Sequence, residues 1–259
     1  MKALLVLPTY NEAFTLGEVL EKVLGLDLAD VLIVDDNSTD GTGDIIRRWR
    51  ERSGRVHLLE RPGKLGLGTA YVAGFRWGLE RGYECFIEMD ADLSHNPFNL
   101  PRFVQQMERG ADLVIGSRYM GGTISVVGWD FRRLLLSRLG NSYATWILGF
   151  PLTDVTSGFR AFSRRALEAM DLEGIHAQGY SFQIEMAYYV WRMGMQVREI
   201  PITFTERYGG ASKMSGAIVR EAMRLPWTLR WRSLTGGLKR ALGLTKRPLP
   251  GKEDRRASL

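Results

Sequence analysis

Asp90-Ala91-Asp92 follows directly on the apolar run Cys85-Phe86-Ile87-Glu88-Met89. Two carboxylates one residue apart, emerging from the end of a buried strand, suit a hard divalent cation. Such a cation prefers oxygen ligands and bridges readily to phosphate oxygens. An Asp-x-Asp alone also makes an ordinary polar turn. Its surroundings add weight. Pro8-Thr9-Tyr10-Asn11-Glu12 closes the first strand pattern, and Val34-Asp35-Asp36-Asn37-Ser38 closes the second. Three strands that finish in polar, acid-bearing loops match the place where open α/β sheets bind ligands.

Other chemistries fit the same residues less well. The run from Asp90 begins like a calcium-binding EF-hand loop, but His95 stands at the glycine position and Pro101 at the closing glutamate. Gly66-Leu67-Gly68 opens a dinucleotide fingerprint whose third glycine is replaced by Tyr71. There is no Walker A loop. Three scattered histidines and one cysteine argue against zinc, and His95 reads as a loop-capping residue. Cys85 lies in a strand pattern and reads as a small core side chain.

The elements that must position these loops alternate. Continuous apolar runs at Ala3–Leu7, Val31–Val34, Val56–Leu59, Cys85–Met89 and Leu113–Gly116 predict strands covered on both faces. Helical patterns lie between them at Phe14–Leu24, Thr42–Arg52, about Thr69–Arg81 and about Asn99–Arg109. This alternation predicts a mostly parallel, doubly wound α/β sheet with helices on both faces. The second half is less regular. We expect a helix over Phe131–Leu148, a turn at Pro151–Asp154, a strand over Gly158–Ser163 and a helix over Tyr180–Met193. Gln196–Phe204 reads as a strand, with Pro201 marking an edge or an end. A helical pattern beginning near Ser215 is interrupted by Pro226.

The chain has 259 residues, enough for one such domain and an appendage. Its single cysteine rules out an internal disulfide and fits a reducing cytosol. No apolar stretch reaches the ~20 residues that span a bilayer, and Pro8 with the polar Thr9–Glu12 cuts short any leader-like run at the N-terminus. The net charge of +6 is local. Between Ala222 and Lys252 there is no acid, but eight basic residues lie there, more than the whole net charge. Residues 1–235 read as one catalytic domain, ending in an amphipathic basic helix. Residues 236–259 read as a basic, flexible tail.

The motifs together resemble family 2 glycosyltransferases. The resemblance is carried by the three strand-end loops above, by Lys64-Leu65-Gly66-Leu67-Gly68-Thr69-Ala70 and by Gly116-Ser117-Arg118-Tyr119, in order and spacing. Gly128-Trp129-Asp130-Phe131-Arg132-Arg133, Ser157-Gly158-Phe159-Arg160 and Arg207-Tyr208-Gly209-Gly210-Ala211-Ser212-Lys213 extend it to about residue 230. More narrowly the chain looks like dolichol- or polyprenol-phosphate mannosyltransferases.

The resemblance implies a GT-A fold, a divalent cation (Mg2+ or Mn2+) and a nucleotide-sugar donor, GDP-mannose. UDP-glucose or another donor remains the alternative on the same scaffold, and a soluble glycan a more distant alternative acceptor. Asp90 and Asp92 would hold the metal, with Ala91 contributing backbone. Pro8, Tyr10, Glu12, Val34 and Asp36 would contact the nucleotide, and Asp35 would be structural. Arg118 and Arg133 would grip an acceptor phosphate with guanidinium forks, although Arg132 competes with Arg133. Arg207 and Lys213 would clamp the donor diphosphate from a glycine-bearing loop. Asp154, Arg160 and Glu185 are divided between supporting the site and ordinary core or turn roles. Where some family members carry glutamine, this chain has Ser94.

A polyprenyl or dolichyl phosphate acceptor requires a membrane surface. Leu225, Trp227, Leu229, Trp231 and Leu234 interleave with Arg224, Arg230 and Arg232, which suits a bilayer interface with anionic headgroups. The same residues would also suit a helix packed on the domain. A nucleic-acid role for the basic tail is disfavoured, because it leaves Asp90 and Asp92 without a task. The expected setting is the cytoplasmic face of a membrane, with room for an integral-membrane partner subunit.

Overall fold

The computed structural model describes residues 1–175, 177, 179–206 and 216–234, of which 216–219 and 234 are described as backbone. Nine strands are present among them: β1 Ala3–Thr9, β2 Asp30–Asp35, β3 Val56–Glu60, β4 Cys85–Glu88, β5 Leu113–Ser117, β6 Val126–Val127, β7 Arg160–Ser163, β8 Val197–Pro201 and β9 Phe204–Thr205. The eight α-helices are α1 Leu16–Gly25, α2 Thr42–Arg52, α3 Leu67–Glu80, α4 Leu100–Glu108, α5 Phe131–Leu148, α6 Arg164–Ala169, α7 Tyr180–Arg192 and α8 Gly216–Leu234.

Seven strands form one sheet in the order β3-β2-β1-β4-β7-β5-β8. All its pairings are parallel except those of β7, which runs antiparallel between β4 and β5. The alternation of side chains along β1 shows why both faces must be covered. Leu4 and Val6 join a core with α3, α5, α7 and α8, whereas Leu5 and Leu7 join a second core with α1, α2 and α4. Helix α3 lies unusually close to the sheet. A Cβ at Gly74 would stand 2.5 Å from Val6 Cγ1, and one at Gly78 would stand 2.6 Å from Leu4 Cδ2. Any side chain there would push α3 off β1.

Two sequence expectations change. Helix α8 continues through Pro226, which is buried within it. Proline removes one helical N–H and crowds the preceding turn, but Leu229 is fully buried in the core and Leu225 packs against it, which holds the segment helical. The expected strand Gln196–Phe204 is divided. β8 ends at Pro201 on the sheet edge, and Phe204–Thr205 pairs instead with β6. Arg207, Lys213 and the tail 236–259 lie outside the described residues.

Candidate active site

A cavity of about 840 Å3 opens at the C-terminal ends of β1, β2 and β4. Its wall is built from local constraints that the strand-end sequences supply. Asn11 and Asn37 both take left-handed backbone (φ 60 each), a conformation that Asn tolerates better than most residues. The two loops are then stitched together: Asn11 N–H donates to Ser38 Oγ at 2.9 Å, and Thr39 N–H donates to Asn11 Oδ1 at 2.9 Å. Asp35 is structural, as expected. It accepts from Thr9 Oγ1 at 2.7 Å and from Ser38 N–H at 2.9 Å.

The acidic loop after β4 is held by its own side chains. Asp92 Oδ1 accepts from Ser94 N–H at 3.0 Å, and Asp90 N–H donates to His95 Nδ1 at 3.2 Å. His95 is buried and stacked on Phe159, and burial lowers its pKa. Its Nδ1 is therefore an acceptor that shapes the loop, in line with the capping role. Leu93, between Asp92 and Ser94, has φ 63. For a leucine this costs of order 1–3 kcal/mol and is characteristic of functional loops. Ser94 Oγ is buried, and its residue lies off the cavity wall.

Beneath this loop, Glu88 faces Arg160 across the β4–β7 pairing, and both are fully buried. Burial pushes the Glu88 carboxyl up to about 8 and the Arg160 guanidinium down to about 10. Burial thus disfavours the charged form of the carboxyl that lies under Asp90 and Asp92. Arg160 donates to the carbonyls of Val155, Ser157 and Gln183 at 2.6–2.7 Å, so it is a structural support.

The opposite wall is basic and aromatic. Arg118 is buried, and its Nε and Nη2 donate to the Asp154 carboxylate at 2.6 and 2.7 Å. Burial opposes both charges, but mutual attraction prevails, holding Asp154 below and Arg118 above their ordinary values. Arg133, capped into α5 by Asp130, donates Nη1 to Glu206 at 2.6 Å and lies 4.3 Å from the Trp129 ring centroid. Arg132 is exposed and off the wall, so geometry favours Arg133 of the two.

Of the sequence-derived residues, Pro8, Tyr10, Glu12 and Asp36 line one wall, Asp90, Ala91 and Asp92 the floor, and Arg118 and Arg133 the far wall. Val34 does not. Its side chain is fully buried in the core on the α3 side, so only its backbone is near the site. Asp36 reaches the cavity, but both its oxygens also accept from Arg61, at 2.5 and 2.8 Å. Sequence reasoning missed Arg61, Gln183 and Tyr180. None belongs to a motif with a known spacing, and only the tertiary fold brings them here.

Residues 4–171 match the family model described as glycosyl transferase family 2. The chain belongs to that family. As a family 2 glycosyltransferase it is 46% identical over 252 residues to undecaprenyl-phosphate mannosyltransferase of Micrococcus luteus, covering 94% of this chain and all of that protein. It is 44% identical over 250 residues to polyprenol monophosphomannose synthase of Mycolicibacterium smegmatis, covering 95% and 92%. Among solved structures it resembles glucosyl-3-phosphoglycerate synthase of Mycobacterium tuberculosis, in complex with Mn2+, UDP-glucose and phosphoglyceric acid. That likeness has a TM-score of 0.68 at 20% identity, covering 89% of this chain and 80% of the other. At such identity it speaks to the fold, which is GT-A.

The residues of this glycosyltransferase fit a divalent cation that takes part of its coordination from other ligands. Among the described residues, no three His, Cys, Asp or Glu side chains gather to hold a metal. The floor offers two carboxylates, one of them, Asp90, about a third exposed. Gly158 lies beside this floor: a Cβ there would stand in ordinary contact with His95 Cε1, at 3.7 Å, and with Asp90 Oδ2, at 4.0 Å. One or two carboxylates completed by water and substrate phosphates is how Mg2+ is ordinarily bound, and dedicated protein sites are not.

Proposed function

We propose that the chain transfers mannose from GDP-mannose to a polyprenyl (dolichyl-type) phosphate, with inversion, on the cytoplasmic face of a membrane. The observation that carries this reading is the polarity of one cavity: Asp90 and Asp92 on its floor, and Arg118 and Arg133 on its far wall. The acids suit a metal-bound diphosphate and the arginines suit a second, separate phosphate. The names of the two mannosyltransferase relatives accord with that pairing.

In this reading Mg2+ or Mn2+, held by Asp90 and Asp92, would neutralise the charge that develops on the departing nucleotide diphosphate. Pro8, Tyr10, Glu12 and Asp36 hold the nucleotide, and Arg207 and Lys213, which lie outside the described residues, would serve as the clamp on the donor diphosphate. Arg133 orients the acceptor phosphate, and the end of Arg118 not engaged by Asp154 faces the same space. A phosphate monoester is already ionised at neutral pH, so its oxygen attacks the anomeric carbon without a protein base. His95 Nδ1 accepts from the Asp90 amide at 3.2 Å, so that nitrogen is not assigned a catalytic part in this reading. Direct displacement forms the new bond as the diphosphate bond breaks on the opposite face, which inverts the anomeric centre.

The lipid tail would lie against α5 and α8. These helices pack together, with Tyr143 Oη donating to Met223 C=O at 2.7 Å and Trp227 Nε1 donating to Tyr143 Oη at 3.0 Å. They leave Phe131, Leu136, Leu139, Trp146, Trp227 and Trp231 exposed, among the exposed Arg132, Arg138, Arg224 and Arg230. No helix among the described residues is long and apolar enough to cross a membrane. Residues 1–235 act in this reading as the catalytic domain, and α8 belongs to its lipid-facing side.

The test offers radiolabelled GDP-mannose, UDP-glucose and UDP-galactose separately to the purified protein, with polyprenyl phosphate and Mg2+ or Mn2+. Lipid-linked label from GDP-mannose alone is expected, as a β-linked product. Label from another donor would replace the sugar assignment, and none from any donor would overturn the acceptor.

A further inference from the structure

Arg61 lies just beyond β3, off the cavity wall, with its side chain more than nine-tenths buried. Every nitrogen of its guanidinium is engaged. Nε and Nη2 donate to the two oxygens of Asp36 at 2.5 and 2.8 Å, Nη1 to Thr69 Oγ1 at 2.8 Å, and Nη2 also to Gly66 C=O at 3.2 Å. Its backbone N–H donates to Asp35 C=O at 2.8 Å, continuing the β2–β3 ladder. One side chain therefore joins the ends of β2 and β3 to the 62–66 turn and to the first turn of α3. Asp36, Lys64, Leu65, Gly66 and Leu67 all line the cavity.

We propose that Arg61 is a positioning residue for the nucleotide half of the donor, fixing the Asp36 carboxylate and the 64–67 wall as one unit. The inference rests on the reading of Asp36 as a donor-holding group. A carboxylate has about four acceptor positions. Arg61 occupies one on each oxygen, which leaves the remaining pair for ribose hydroxyls or a base N–H. A planar fork fixes the carboxylate's plane as well as its position, which a lysine ammonium cannot do. Charge matters equally. Glu12, Asp36, Asp90 and Asp92 line the cavity with Lys64, Arg118 and Arg133, so each acid near a nucleotide's diphosphate needs its charge offset locally. Arg61 offsets the Asp36 charge from behind the wall, where it does not compete for the phosphates.

The test compares Arg61→Lys, Arg61→Gln and Thr69→Val by calorimetric titration with GDP and, in parallel, UDP in the presence of Mn2+. Thermal denaturation and steady-state kinetics for both substrates accompany it. GDP affinity should fall about tenfold or more in Arg61→Gln, less in Arg61→Lys and least in Thr69→Val. Donor KM should rise in step, with kcat and acceptor KM near wild type. Unchanged nucleotide affinity in folded variants would overturn the proposal, as would an equal loss for donor and acceptor, which marks a merely structural residue. Should Arg61→Gln fail to fold, the graded loss across the other two variants decides the matter. If UDP binds and GDP does not, the GDP-mannose assignment fails while the role of Arg61 is still measured.

Discussion

Asp90 and Asp92 differ in what holds them. Asp92 accepts the Ser94 amide, and Asp90 is anchored through its own N–H to His95. Asp92→Ala should abolish turnover while the melting temperature stays near wild type, because the site is open and the core beneath it is untouched; near-normal activity would contradict the metal role. At the far wall, Arg133→Ala should raise KM for the lipid phosphate by about tenfold or more, the loss of a charged hydrogen bond. Arg132→Ala, exposed and off the wall, should leave it unchanged, and equal effects would remove the distinction. The acids were legible in the sequence because three strand-end loops converge by topology alone. Arg61 was not, because an arginine becomes meaningful only once its carboxylate partner, 25 residues away, is folded against it.

The 150–156 turn, between α5 and β7, decides the state of Arg118. Glu199 on β8 accepts from the N–H groups of Thr153 and Asp154, fixing the turn, and Asp154 then holds Arg118 in a bidentate pair. Breaking a buried pair on one side leaves a charge without its partner, so Asp154→Ala should destabilise the fold by about 3–5 kcal/mol in urea unfolding. The double change Arg118→Met with Asp154→Leu should cost less. The Asp154 carboxyl is held below its ordinary 3.8, since the attraction of Arg118 outweighs burial. Its native pKa lies below its unfolded one, so its stabilising contribution is complete above pH ~3.8 and is lost as pH falls through the native value. The double variant should show a shallower acid limb, and an unchanged one would show that the pair is not its source. From the sequence, the five N-terminal strands were plain as apolar runs. The antiparallel sense of β7 was not, because the strand is four residues long and its direction is set by the neighbours it joins.

Over the whole molecule, the cavity and the exposed α5–α8 face belong to one arrangement. Phe131 begins the helix that carries Arg133, so apolar surface starts within a turn of the cavity's basic wall. Trp227→Glu with Trp231→Glu should weaken binding to vesicles containing anionic lipid and leave GDP affinity intact. Retained vesicle binding would assign those tryptophans another role. The sequence announced the α8 half of this face through its aromatic and basic interleaving. The α5 half was read only as a helix, because its exposed apolar residues look like core until the packing shows which side is covered. The most direct measurement is a crystal structure with Mn2+ and GDP, the ion located by its anomalous signal. The account predicts manganese bridging the diphosphate and carboxylate oxygens of both Asp90 and Asp92, at about 2 Å. A bound diphosphate with both carboxylates turned away from it would contradict the account.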